Sequence, residues 1–465
     1  MKVLENNFKL NFKNNSFNFY NASDGIIPFI ISEILQNKKK IVIALSDNKY
    51  LKPFAKTLSA ITGINNILIF PSWDCFPYSD VSPSNYNINI RFKVLTEILF
   101  QKNDYKIIIT NFKNLTMLLP NKGEVISNIF YLEKNKEYNL KDTINTLSSR
   151  GYNHVNLVLE PNEYAIRGGI IDIWPVGEQA PVRLDFFGDT LESIKLFDPM
   201  SQISKKEKHS ISIFQNIEPP LSDTAKNDFI SNYRNYFGPS SNKDLFIHQL
   251  KEDKKLDGIE HWMPLFYKKK FISFFDFFNP EYLIFEHNLL NELEIFYKET
   301  IDAYSEKKEL ASTQIESINQ PIKPELLYLD QSLLSKQLNL IKKIEFNKFI
   351  SKKSNNYDLK ATDNIEKDIK VNSDEQLFRI LQSIVLKRTK KKIIFVADNE
   401  KNKEKLIFYI KNLFKNEEFI LRTNKSNFTE CFDDQEIVDI FIYPLDKGFE
   451  NRFIKIISFY EIFKV

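Results

Sequence analysis

The stretch from Asn162 to Asp198 constrains the fold more than any other part of the chain. Its apolar runs are short and are separated by turn signals at Gly168-Gly169, at Pro175 to Pro181 and at Gly188-Asp189, which is the pattern of a small β-meander. Side chains on a strand alternate between two faces. Within Pro181 to Gly188 that places Val182, Leu184 and Phe186 together and Arg183, Asp185 and Phe187 opposite them. With the apolar set inward, Phe187 stands outside among charges, the composition of a protein-binding patch. A bland alternative stays open: Phe187 precedes a Gly-Asp turn, and a twisted strand end can return an aromatic to the core, scattered surface aromatics being common.

The rest of the chain bounds the surroundings of this module. At 465 residues it is long enough for about three domains. With 64 basic and 61 acidic residues the net charge of +3 is near balance, which argues against a whole-protein commitment to nucleic acid. Two distant cysteines, Cys75 and Cys431, and five scattered histidines give no disulfide framework and no metal-ligand spacing. No apolar run reaches membrane-spanning length and MKVLENNFKL lacks a secretory core, so the expectation is a cytoplasmic chain without a membrane partner.

Strand and helix patterns alternate between residues 40 and 120. Ile41 to Leu45, Ile67 to Phe70 and Ile107 to Ile109 are short apolar runs. Leu51, Phe54, Ala55 and Leu58 mark one helix face and Phe92, Leu95, Ile98 and Leu99 another, a rhythm that predicts a parallel sheet covered by helices. Residues 211 to 330 look irregular and aromatic-rich, with SFFDFF at Ser273 to Phe278 filling a core. Ser351 to Asp374 is polar with little periodicity and is expected to be a linker. A second small α/β unit follows, with strands at Lys392 to Val396, Val438 to Tyr443 and Ile454 to Phe459 and a helix from about Asn399 to Phe414.

Three blocks carry a family resemblance. Glu163 to Pro175 and Pro181 to Asp198 resemble the UvrA-interaction domain shared by UvrB and the transcription-repair coupling factor (Mfd). Trp73-Asp74-Cys75-Phe76-Pro77-Tyr78, with Ser82-Pro83 and Arg91, is similar to a W-E-x-L-P-Y…S-P…R signature of the coupling factor. Gly258 to Phe266 is similar to its G-I-E-Y-W-x-P-L-F segment. UvrB itself fits less well, because it would bring a working phosphate loop near the N-terminus.

The resemblance implies an α/β fold: a UvrB-like parallel-sheet first domain with a degenerate phosphate loop, an inserted α+β meander domain, and a second small α/β domain. Its implied boundaries are 1–123 and 211–345 for the two parts of the first domain and 124–210 for the UvrA-interaction domain. A linker at 346–375 and a last domain at 376–465 follow. It further implies that the chain binds UvrA to recruit nucleotide excision repair, with Arg167, Arg183 and Phe187 as contact positions. Asp185, on the face of Arg183 and Phe187, would orient the arginines. Guanidinium groups can pair with partner carboxylates in bidentate fashion, and Phe187 would be the apolar anchor. Against this, Arg167 would be structural if it pairs with Glu163 or Asp172 across the hairpin. Trp73, Tyr78, Trp262 and Phe266 are expected to be packing residues of the first domain.

Nucleotide chemistry is not expected. A phosphate loop needs G-x-x-x-x-G-K-S/T, because glycine amides cradle phosphates and the lysine reaches them. No such string occurs, and Asn21 to Phe29 offers one glycine, no lysine, an aspartate and a proline. The expectation is therefore no catalytic residue, no metal and no cofactor in this chain. ATP and Mg²⁺ belong to motor domains that the family carries beyond the position of Val465, together with its RNA-polymerase-interaction domain and a C-terminal domain that covers the UvrA-binding surface. Without that cover the surface would be open at all times.

Two rivals remain at this level. The chain would be part of an ATP-dependent DNA translocase that displaces stalled RNA polymerase, meeting polymerase and DNA through the missing half. Alternatively it would bind DNA directly through Lys38 to Lys40, Lys268 to Lys270, Lys352-Lys353 and Lys387 to Lys392, although lysine runs are usually solvated faces. Asp374-Glu375 and Asp433-Asp434 are carboxylate pairs without a phosphate loop, and no hydrolase or metalloprotease motif occurs.

Overall fold

Parallel strands buried on both faces need unbroken apolar runs, and the central strands of the first sheet are built from them. In a computed structural model the described residues are 16–20, 27–28, 30–31, 40–100, 105–175, 178, 180–215, 218–238, 245–252, 256–286, 288–313, 320–347, 356–358, 379, 381–382, 392–413, 420–422, 437–442, 445, 448–450 and 454–463. The strands Ile67–Phe70, Ile107–Asn111 and Ile41–Leu45 lie side by side, and Tyr282–Glu286, Lys342–Phe346, Ser16–Tyr20 and Asn356–Asp358 extend the same sheet. All six pairings are parallel. The Asn48–Thr62 helix that covers it begins at Asp47, whose carboxylate accepts the Lys49 N–H at 3.0 Å, and ends at Gly63 with φ +70°, a left-handed cap that glycine adopts without strain.

Chain from beyond residue 280 therefore supplies strands next to Ile41–Leu45, and everything from 112 to 281 leaves the sheet and returns. Two local expectations fail here. Residues 211–330 are not irregular: they hold the Asp223–Phe237 and Leu289–Thr313 helices and the Tyr282–Glu286 strand. The longer helix buries Leu289, Leu293, Phe296 and Thr300, a helical spacing that the surrounding aromatics obscured. Asn356–Asp358, inside the stretch expected to be linker, is a strand paired with Asn18 to Tyr20. The remainder of that stretch lies outside the described residues, as does most of Asn21 to Phe29.

One face of the sheet packs on an aromatic core that includes Phe70, Trp73, Phe229, Phe266 and all four phenylalanines of SFFDFF. The other face shares a core with Ile394, Val396, Phe441 and Ile456. Those residues come from a five-stranded C-terminal sheet in the order Ile420–Arg422, Ile437–Ile442, Lys392–Ala397, Ile454–Ser458, Phe449–Glu450. No helix among the described residues is long and apolar enough to cross a membrane.

The meander is a separate two-layer body. Its six strands run Ser204–Lys208, Thr190–Phe197, Val182–Phe187, Ile170–Ile173, Glu163–Arg167, Asn153–His154. Ile171, Ile173, Val182, Leu184, Phe186 and Ile194 face inward onto Leu147 of the Leu140–Ser149 helix and onto Leu132 and Ile211 of a two-stranded pair. Burying such side chains stabilises by roughly 1.5–3 kcal/mol each before entropy is counted.

Candidate partner-binding surface

The outward face of the meander is positioned by two tight hairpins. Arg167 pairs with Ile170 across Gly168-Gly169, and Phe187 pairs with Thr190 across Gly188-Asp189. Gly168 has φ +61° and Gly188 φ +60°, while the second residue of each turn is not left-handed, the type II′ pattern that matches strand twist. Gly169 is required for a different reason. Its carbonyl accepts the Phe186 N–H at 2.8 Å, and a Cβ on it would stand 2.5 Å from the Phe186 carbonyl oxygen. That approach sits at the bulge between Asp185 and Phe186, which redirects the end of the strand. The second turn is held from behind: Tyr138 N–H donates to Asp189 O at 2.7 Å, and Asn135 N–H to Leu191 O at 2.8 Å.

Alternation holds along Val182–Phe187. Val182, Leu184 and Phe186 are buried, Arg183 and Asp185 half-buried, and Phe187 is 76% exposed. Phe187 does not twist back into the core. A ring this open on a pinned hairpin leaves most of its surface free among the described residues, which makes it available to a partner without rearrangement.

The two arginines, both expected to meet a partner, are held differently. Arg183 forms a fork with Asp172, Nε to Oδ1 at 2.7 Å and Nη2 to Oδ2 at 2.8 Å, and its guanidinium lies 4.7 Å from the Phe197 ring centroid. Its Nη1 donates to Gln202 O at 3.2 Å. The Asp172 carboxylate raises the Arg183 pKa above its ordinary value. Bidentate pairing, expected toward a partner, is thus made inside the chain. The carboxylate that grips Arg183 is Asp172, directly opposite it, while Asp185, which faces Ile170 and Ser193, acts on it only through its charge. Arg167 does not pair with Glu163 or Asp172. Glu163 accepts the Leu159 and Glu160 amides at 2.8 and 2.9 Å, and Arg167 reaches only the Asn156 carbonyl, at 3.2 Å. Among the described residues Arg167 and Asp185 make no ion pair. They flank Ile170 in one cross-strand row, next to Phe187, and form the open end of the face.

Elsewhere Trp73, Tyr78, Arg91, Trp262 and Phe266 of the quoted motifs are buried, whereas Phe76, between the first two, is 77% exposed. Trp73 Nε1 donates to Glu218 at 2.7 Å, Tyr78 OH to Ile322 O at 2.9 Å and Trp262 Nε1 to Gln320 O at 2.8 Å, while Phe266 stacks 4.4 Å from Phe229. Arg91 is enclosed, donating to Pro71 O and Asn114 Oδ1. Burial pushes the Cys75 thiol up to about 12, which leaves it unreactive. Burial also pushes the Glu260 carboxyl up to about 7 and the neighbouring His261 imidazole down to about 4. Glu260 lines a cleft of about 480 Å³ with Ser82 and Glu218, yet no group of three metal-binding side chains occurs among the described residues. Of the basic clusters, Lys268 to Lys270 is exposed, with Lys268 3.8 Å from Asp228. Lys40 stands over the Tyr105 ring and Lys392 pairs with Asp439 at 2.8 Å. The other lysines of those clusters, and both carboxylate pairs, lie outside the described residues.

A meander that displays an exposed aromatic beside an arginine without an ion pair among the described residues has the make-up of a protein-docking surface. Residues 130–218 match the family described as UvrB interaction domain. Similarity to transcription-repair-coupling factors extends well beyond that segment. The factor of Haemophilus influenzae is 28% identical over 70% of this chain and 28% of its own length. That of Rickettsia conorii is 25% identical over 91% of this chain and 37% of its own length, and that of Borreliella burgdorferi 33% identical over 40% and 16%. The chain is thus related to transcription-repair-coupling factors and resembles their N-terminal region, spanning 28% of the length of the Haemophilus factor and 37% of the Rickettsia conorii one.

Proposed function

We propose that this chain is a DNA-repair interaction module that binds UvrA through the outward face of its meander and so recruits nucleotide excision repair. The observation that carries the proposal is Phe187, 76% exposed on a hairpin whose backbone is fixed from both sides. Phe187 enters an apolar pocket on UvrA, Arg167 pairs with a carboxylate there, and Asp185 fixes the register of the contact. Arg183 and Asp172 hold the strands beneath. The chain works without ATP or Mg²⁺ of its own; its first sheet is a recognition scaffold of phosphate-loop ancestry. RNA polymerase and DNA are met by other parts of the longer relatives. The test is equilibrium binding of the full chain to UvrA without nucleotide or DNA, wild type beside Phe187→Ala and Arg167→Ala. Micromolar or tighter binding, weakened at least tenfold by Phe187→Ala, is expected; no binding by a folded wild-type chain overturns the proposal.

A further inference from the structure

The second feature that the fold leaves unused lies at the opposite end of the Thr190–Phe197 strand from Phe187. The loop from Asp198 to Ile203 is closed by its own bonds. Asp198 Oδ1 accepts the Met200 and Ser201 N–H groups at 3.1 and 2.9 Å, and its Oδ2 meets Lys205 Nζ at 3.0 Å. Gln202 N–H donates to Asp198 O at 2.8 Å, and Asp198 N–H to Ile203 O at 3.0 Å. Gln202 itself sits at φ +60°, a strained conformation for a residue with a Cβ. It is held there by its Nε2 bond to Pro199 O and by the Arg183 bond to its carbonyl.

This ordered loop turns its apolar side chains outward. Met200 is 87% and Ile203 65% exposed, and Leu157 and Leu159 are exposed on the adjoining loop, whose Val158 packs with Ala165 and Phe197 on the outward face of the sheet. Four apolar groups on two loops bridged by Gln202, whose Nε2 reaches Val158 O at 3.5 Å and whose carbonyl accepts from Arg183, are not scattered exposure of the ordinary kind. A loop that spends a strained residue and a fully engaged aspartate to fix its shape, and then shows methionine to solvent, is preorganised for contact.

We infer that Met200 and Ile203 form a second apolar anchor for UvrA, so that the partner is gripped at both ends of the meander face. The inference rests on the function proposed above. Phe187 and Met200 are separated by the eight-residue Thr190–Phe197 strand, roughly 23 Å at about 3.3 Å per residue. A standard interface covers about 800 Å² on each partner, wide enough to include both. Arg183 and Asp172 lie between the anchors and couple them, since Arg183 bonds the Met200 loop and its strand carries Phe187.

The test is binding of the full chain to UvrA with Met200→Ser/Ile203→Ser, Met200→Leu and Phe187→Ala compared with wild type, each checked for an unchanged melting temperature. The inference predicts at least tenfold weaker binding for the double serine variant and near wild-type binding for Met200→Leu. Wild-type affinity in the double variant, while Phe187→Ala binds weakly, would overturn the second anchor and leave the proposed function standing. Absence of binding by wild type would overturn both. Loss of self-association in place of UvrA binding would assign the patch to a second copy of the chain, and that too overturns the inference.

Discussion

Arg183→Ala and Arg167→Ala should behave differently, and the difference follows from what each guanidinium touches. Removing Arg183 leaves the Asp172 side chain, 4% exposed, without its partner. Breaking a fully buried pair by deleting one member costs about 3–5 kcal/mol. Arg183 is 21% exposed in its side chain, so water reaches the site and the cost falls to about 2 kcal/mol. That corresponds to roughly a thirtyfold change in a local opening equilibrium. Hydrogen–deuterium exchange of the full chain reads it directly: amides of Ile170–Ile173 and Val182–Phe187 should exchange about thirtyfold faster in Arg183→Ala. Arg167, exposed and bonded among the described residues to one carbonyl, should change exchange by less than about twofold on removal. Any loss of UvrA binding in Arg183→Ala then contains a folding component that Arg167→Ala lacks. Unchanged protection in Arg183→Ala would refute the assignment of the Arg183–Asp172 fork as the brace of the sheet.

Gly169→Ala should weaken partner binding although residue 169 is not at the proposed contact. Its Cβ meets the Phe186 carbonyl at 2.5 Å, so the bulge must shift at a cost of about 1–3 kcal/mol; exchange at the Phe186 amide checks it, and unchanged exchange counts against the role of the bulge. Glu260→Gln should flatten one limb of the stability–pH profile. The folded carboxyl holds its proton up to about 7, against 4.5 for the ordinary value, so wild-type stability falls as pH rises from about 4.5 to about 7, by about 3 kcal/mol. The glutamine variant should therefore melt above wild type at pH 8 and close to it at pH 4.5; an equal gap at both would contradict the burial of an acid there. His261, lowered from 6.5 to about 4, acts with the opposite sign and removes stability as pH falls across that window, in both proteins.

Much of the meander was legible because its chemistry is local. Period two and two Gly-containing turns decide which side chains of Val182–Phe187 face outward, and no distant contact overrides them. The partner of Arg183 was not legible. Asp172 and Asp185 are both carboxylates of the same module, and only the antiparallel register puts Asp172 opposite Arg183 and Asp185 one row away. The Met200 loop was invisible for a similar reason: DPMSQI carries no periodicity, and its rigidity comes from bonds of Asp198 and Gln202 that need the folded loop to exist. In the first sheet, apolar runs announced the strands but not their order. Asn356–Asp358 in particular has the composition of a linker and becomes a strand only because Ser16–Tyr20 offers it an edge.

Hydroxyl-radical footprinting of the full chain, alone and saturated with UvrA, would test the central claim most directly. Phe187 is open in the free chain and should be modified readily there. Strong protection of Phe187 in the complex, with the buried Phe186 silent in both states, is the predicted result. UvrA bound at saturation with Phe187 still fully modified would contradict it.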